Sequence, residues 1–114
     1  MTDPASCAEA GGEPAAPPRL RALLVEDEPT IAITLVDDLE EAGCSVMVDH
    51  SGDIAIPWLR EVDFDWVVTD LRMPNIDGVE IVRAARELRP RARIVVVTAH
   101  ATPETMITLR QLGI

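Results

Sequence analysis

The sequence predicts an α/β domain built on a parallel sheet with helices on both faces. Three observations carry this expectation: from Leu20 onward short apolar runs alternate with amphipathic stretches, the runs are continuous rather than alternating, and two of them end on acid. Alternating strand-like and helix-like stretches are the pattern of repeated βα units, and an unbroken apolar run suits a strand covered on both faces. With 114 residues, 47% hydrophobic and 26% charged, the chain is long enough for one domain with a core of its own.

Residues 1–19 hold four prolines and two glycines without periodicity, and read as a disordered leader ahead of a domain at 20–114. The run LRALLV at 20–25 is the first strand. From Pro29 to Ala42, Ile31, Leu35 and Leu39 stand four apart with Ala32 and Val36 beside them, opposite Asp37, Asp38, Glu40 and Glu41, which predicts a helix. Pro29 suits its first turn and Gly43 its end. CSVMV at 44–48 is the second strand, and Gly52 to Glu61 a second helix, expected short or kinked because Pro57 lacks an N–H. DWVVTD at 65–70 is the third strand, followed by a loop, LRMPNIDG. A third helix over Val79 to Arg89 stops at Pro90 and carries Ile81, Ala84, Ala85 and Leu88 on one side. The β-branched ARIVVVTA at 92–99 is the fourth strand. A fourth helix then starts with Thr102 as N-cap, Pro103 and Glu104, and runs to about Leu112.

Composition excludes several functions. Twenty acids against ten bases give a net charge of -10, which disfavours nucleic acid and anionic membrane surfaces as partners. Phe64, Trp58 and Trp66 are the only aromatics, so there is no stacking platform for single strands. The N-terminus lacks a basic start and an apolar segment, and no run reaches membrane-spanning length. Cys7 and Cys44 lie far apart without metal-ligand spacing and read as free thiols of a cytoplasmic protein. All ten bases are arginine.

Parallel strands joined by right-handed crossovers bring their C-terminal ends to one edge, where such sheets bind ligands. If the first strand neighbours the third, Glu26 and Asp27 meet Asp70 there, and Thr98 joins them from the fourth. Three carboxylates supply hard oxygen ligands in the number that suits Mg²⁺. An aspartate beside a metal can attack phosphorus while a hydroxyl holds a phosphoryl oxygen. Two other readings stand beside this one. The acids could form a solvated rim, or an aspartate-nucleophile phosphatase could use them, although the second acid such an enzyme wants two positions on is here Arg72. Neither glycine-rich nucleotide motif occurs.

The stretches LLVEDEP, VVTDLRMPNIDG and VVVTA, in that order, resemble the receiver domains of two-component response regulators over residues 20–114. The resemblance implies a flavodoxin-like three-layer sandwich with strand order 2-1-3-4. It makes Asp70 the phosphoacceptor, Glu26 and Asp27 the acid pair for Mg²⁺, and the carbonyl of Arg72 a further ligand. Thr98 becomes the switch hydroxyl, with the small Ala99 leaving the phosphoryl pocket accessible. Implied partners are a histidine kinase or histidine phosphotransfer protein, with output by protein contact through the fourth helix and no enzymatic activity beyond self-directed phosphoryl transfer and dephosphorylation. The family also carries a lysine at the end of a fifth strand, followed by a fifth helix. This sequence has no lysine and stops after LRQLGI, ahead of both. The expectation is therefore a truncated receiver whose fourth strand, an uncovered apolar edge, invites self-association, with a non-switching interaction module or an inactive fragment as the alternative. Arg72 is a candidate to lean over the site in place of the lysine.

Other residues have plainer readings. His50 and His100 are expected at the surface, Glu28 as charge at the start of a helix, Trp58 and Trp66 as packing residues. The arginines at 83, 86, 89, 91 and 93 read as a solvated face. Met106, Ile107, Leu109 and Leu112 divide between core and partner surface.

Overall fold

The structure is a computed structural model, and it describes residues 19–73, 76–97 and 102–114. The elements follow in the order β1 (Leu20–Val25), α1 (Pro29–Glu41), β2 (Cys44–Asp49), α2 (Ala55–Glu61), β3 (Trp66–Thr69), α3 (Gly78–Leu88), β4 (Arg93–Val96) and α4 (Pro103–Gln111). The strands form one parallel sheet in the order β2-β1-β3-β4. Register runs Leu20 to Cys44 and Val25 to Asp49 between β1 and β2, Ala22 to Trp66 between β1 and β3, and Trp66 to Arg93 between β3 and β4. This is the flavodoxin-like three-layer sandwich the sequence predicts.

Period-two alternation in the central strands builds two cores. Leu23, Val25 and Val67 point to one face, where Leu59 of α2 and Ile81 and Ala85 of α3 cover them. Leu24 and Val68 point to the other and meet Ala32, Leu35, Val36 and Leu39 of α1. Leu109 and Leu112 dock α4 on Leu71, Val82 and Val96. The α1 stripe is therefore 32, 35, 36 and 39; Ile31, about 100° round the helix from Ala32, is exposed.

The second helix starts later than expected. Gly52 takes φ +86, a left-handed turn residue that cannot sit in a helix, so α2 begins at Ala55. Pro57 is then its third residue, where an N–H has no intrahelical partner, and a kink is unnecessary. The fourth strand is also shorter than the predicted 92–99: Ala92 belongs to the preceding turn, its N–H bonded to Arg89 O at 3.0 Å, and the strand ends at Val96. Among the described residues β4 lies at the sheet edge, with Val95 exposed. No helix of the described residues is long and apolar enough to cross a membrane.

Candidate functional site

The order β2-β1-β3-β4 places the point where chain direction across the sheet reverses between β1 and β3. Glu26 is the residue after β1 and Asp70 the residue after β3. The sheet ladder continues through both: Glu26 N donates to Asp49 O at 3.1 Å and Asp70 N to Val25 O at 3.1 Å. Further hydrogen bonds here involve side chains. His50 Nδ1 lies 3.2 Å from Glu26 O, Thr69 Oγ1 donates to Asp70 O at 2.9 Å, and Arg72 N donates to Asp70 Oδ1 at 3.2 Å. The result gathers carboxylate oxygens of Glu26, Asp27 and Asp70 within 4.8 Å of one another.

This is not a solvated rim. Glu26 is only 2% exposed, and Asp70 beside it is half-buried. Burial pushes the Glu26 carboxyl above its ordinary 4.5, and repulsion from Asp70 and Asp27 adds to the rise; the Glu28 N–H, 3.1 Å from Glu26 Oε2, opposes it without prevailing. Arg72 supplies no compensating charge: it is exposed, and the ion pair among the described residues is Arg89 with Asp63. Its backbone instead forms an isolated antiparallel bridge with Asp77.

The donor set fits a small hard dication. Three carboxylates whose oxygens lie within 4.8 Å of one another supply the hard oxygen donors that Mg²⁺ takes, and water can complete its shell. A buried carboxylate raised by two like charges gains most from such a cation.

The start of α3 is held close to Asp70. Asp77 caps α3, its Oδ1 accepting Val79 N at 2.9 Å, and Gly78 N donates to Leu71 O at 3.1 Å. A Cβ on Gly78 would overlap the Asp70 carbonyl oxygen and stand 2.6 Å from Leu71 Cα. Only glycine lets the helix start that close to the strand end. Thr98, Ala99 and His100 lie outside the described residues; Val97 N still donates to Thr69 O at 2.9 Å, beside Asp70.

Three residues do more than sequence reasoning assigned them. Asp49 is 2% exposed. Its Oδ1 accepts Ser51 N at 3.0 Å and Ser51 Oγ at 2.9 Å, and its Oδ2 accepts Ile54 N at 2.9 Å and Ala55 N at 2.8 Å. Burial alone would raise its pKa, but these hydrogen bonds win and hold it below the ordinary 3.8. An acid shortly ahead of Ser51 and Gly52 and a helix was the available signal. Arg86 and Arg89 are not a solvated face. Arg86 donates to Leu112 O and Gly113 O, both at 2.8 Å, and Arg89 to Leu59 O at 2.9 Å and Arg60 O at 3.1 Å. Each satisfies carbonyls at the end of a neighbouring helix. Of the remaining arginines, Arg93 lies over the Trp66 ring, 5.6 Å from its centroid.

Residues 22–114 match the family described as response regulator receiver domain. A response regulator receiver protein of Anaeromyxobacter sp. (strain Fw109-5) is 33% identical over 94 residues, which are 82% of this chain and 40% of that protein. The chain thus spans well under half the length of that relative. Among solved structures, a response regulator protein from Burkholderia pseudomallei with a phosphorylated aspartic acid, calcium ion and citrate superposes with TM-score 0.75 at 29% identity, over 82% of this chain and 55% of that one. The response regulator TrrA from Thermotoga maritima, in complex with Mg(2+)-BeF, gives TM-score 0.69 at 29% identity, over 78% of this chain and 77% of that one. With a family match from Ala22 to Ile114 on a sheet of order 2-1-3-4, the chain belongs to the response regulator receiver domains of two-component signalling.

Proposed function

We propose that this chain accepts a phosphoryl group on Asp70 from the phosphohistidine of a histidine kinase or histidine phosphotransfer protein, in a Mg²⁺-dependent phosphorelay, and passes the signal on by protein contact. The observation that carries the proposal is the meeting of Glu26, Asp27 and Asp70 within 4.8 Å where β1 and β3 end. Relatives bearing a phosphorylated aspartic acid, or Mg(2+)-BeF, support it.

Glu26, Asp27, Asp70 and the backbone carbonyl of Arg72 would hold the ion, whose charge offsets that of the phosphoryl oxygens. The chain's own part is nucleophilic. A carboxylate oxygen of Asp70 attacks phosphorus; the new O–P bond forms as the N–P bond of the donor breaks, and the electron pair stays on the imidazole. Arg72 N–H, donating to Asp70 Oδ1, fixes the carboxylate plane for that attack. Thr98 takes one phosphoryl oxygen through its hydroxyl, and α4 carries the output surface, where Met106 and Ile107 are exposed. The phosphoryl group resides on the protein itself, so the chain turns over no separate substrate.

The test is transfer from an autophosphorylated histidine kinase with labelled phosphate. Label should leave the kinase and appear on this chain only with Mg²⁺, and not on Asp70→Asn. Equal labelling of Asp70→Asn contradicts the assignment, and a folded chain that binds the kinase without taking label points to the non-switching interaction module.

A further inference from the structure

Asp49 has no part in the reaction just described, yet it is among the most buried charges among the described residues and sits against the site. Its carboxylate grips the whole turn that follows it: both Ser51 donors on one oxygen, and the N–H groups of Ile54 and Ala55, which open α2, on the other. Its main chain faces the other way. Asp49 O accepts the Glu26 N–H at 3.1 Å, and its neighbour His50 meets the Glu26 carbonyl at 3.2 Å. Both backbone polar groups of Glu26 are therefore held by two consecutive residues at the end of β2, and the direction of those two residues is set by the Asp49 carboxylate.

Glu26 needs such support. It is buried with carboxylate oxygens of Asp27 and Asp70 within 4.8 Å, so its place in the cluster depends on a fixed backbone, and a loosened ligand binds metal less well. The structure assigns Asp49 as a positioning residue that keeps Glu26 aimed into the carboxylate cluster, by welding the end of β2 to the start of α2 without itself joining the cluster. This rests on the proposed reading of the cluster as a Mg²⁺ site. Residues that orient a metal ligand without touching the metal are commonly worth about tenfold to a hundredfold in affinity.

The test compares Asp49→Ala, Asp49→Asn and Arg89→Ala in the full chain. Arg89 supports the opposite end of the same helix through Leu59 O and Arg60 O, so its loss loosens α2 without reaching Glu26. Two quantities are read: the Mg²⁺ dissociation constant by calorimetry, and the hydrogen-exchange rate of the Glu26 amide in metal-free protein by NMR. Asp49→Ala should weaken Mg²⁺ about tenfold and speed exchange at Glu26, Ile54 and Ala55. Asp49→Asn, which keeps an acceptor oxygen, should recover part of both and serves if Asp49→Ala does not fold. Arg89→Ala should change neither at Glu26. Unchanged Mg²⁺ affinity and Glu26 exchange in a folded Asp49 variant overturn the assignment, as does an equal effect of Arg89→Ala. Faster Glu26 exchange in a chain whose wild type binds no Mg²⁺ would uphold the positioning role and sink the metal reading instead.

Discussion

Gly78→Ala should injure both stability and the site, because of where its methyl group would go. The added Cβ overlaps the Asp70 carbonyl oxygen and lies 2.6 Å from Leu71 Cα and 2.9 Å from the Asp70 carbonyl carbon. All three are main-chain atoms, so no rotamer change relieves the contact; either the start of α3 or the end of β3 must move. Forcing atoms into a packed site costs about 1–3 kcal/mol, while replacing glycine by alanine in a helix returns at most about 1 kcal/mol, and less in the first turn. The net loss is about 1–2 kcal/mol. At about 4–8 °C per kcal/mol for a domain of this size, the melting temperature should fall on the order of 10 °C. Because the displaced peptide is that of Asp70, Mg²⁺ affinity should fall with it. Gly43→Ala is the control: Gly43 has φ +97 but nothing within 4 Å of a Cβ, so it should lower stability through backbone strain and leave Mg²⁺ affinity alone. Thermal unfolding by circular dichroism, with and without Mg²⁺, reads both. A Gly78→Ala protein that melts with the wild type and binds Mg²⁺ equally would refute the close-approach reasoning.

Glu26→Gln should stabilise the metal-free protein at neutral pH while weakening Mg²⁺ binding. The folded pKa of Glu26 is raised above 4.5, so its penalty is present above the folded value and is relieved as pH falls toward 4.5; melts at pH 7 and pH 4 should show the variant's advantage at the first and not the second. Asp49 has the opposite sign. Its folded pKa is held below 3.8, so it stabilises the fold above that pH and its contribution fades as pH falls through the folded value; the gap in stability between wild type and Asp49→Ala should close in acid. Arg86→Ala removes two charge-assisted bonds to the end of α4 and should cost about 1–3 kcal/mol, with faster amide exchange at Leu112 to Ile114 and no loss of Mg²⁺ affinity.

What could be read in the sequence was what repeats. Continuous apolar runs marked β1 and β3, and their acidic ends marked the site, because a parallel sheet has one edge where strands finish. The facing of α1 was legible only to within one residue: Ile31 and Ala32 both fit a four-residue spacing, and the sheet beneath decided for Ala32. Gly52 looked like a helix start because its left-handed φ leaves no mark in a hydrophobic pattern. The arginines misled for a related reason. Arg86 and Arg89 fall on the polar side of α3, yet their long side chains reach carbonyls some 26 to 30 residues away in sequence, a pairing only tertiary structure creates. Asp49 was hidden because a buried acid and an exposed one are the same letter. Glu26, Asp27 and Asp70 needed only the order of strands, and the structure supplies it. The expectations for Thr98, Ala99 and His100 lie outside the described residues.

The most direct test of the central claim is the intact mass of the purified chain after incubation with a small-molecule phosphodonor, with and without Mg²⁺, beside Asp70→Asn. A gain of one phosphoryl group that requires Mg²⁺ and disappears in the variant is the predicted result. A folded wild-type chain that gains no mass, or a variant that gains as much, would contradict phosphoacceptance at Asp70.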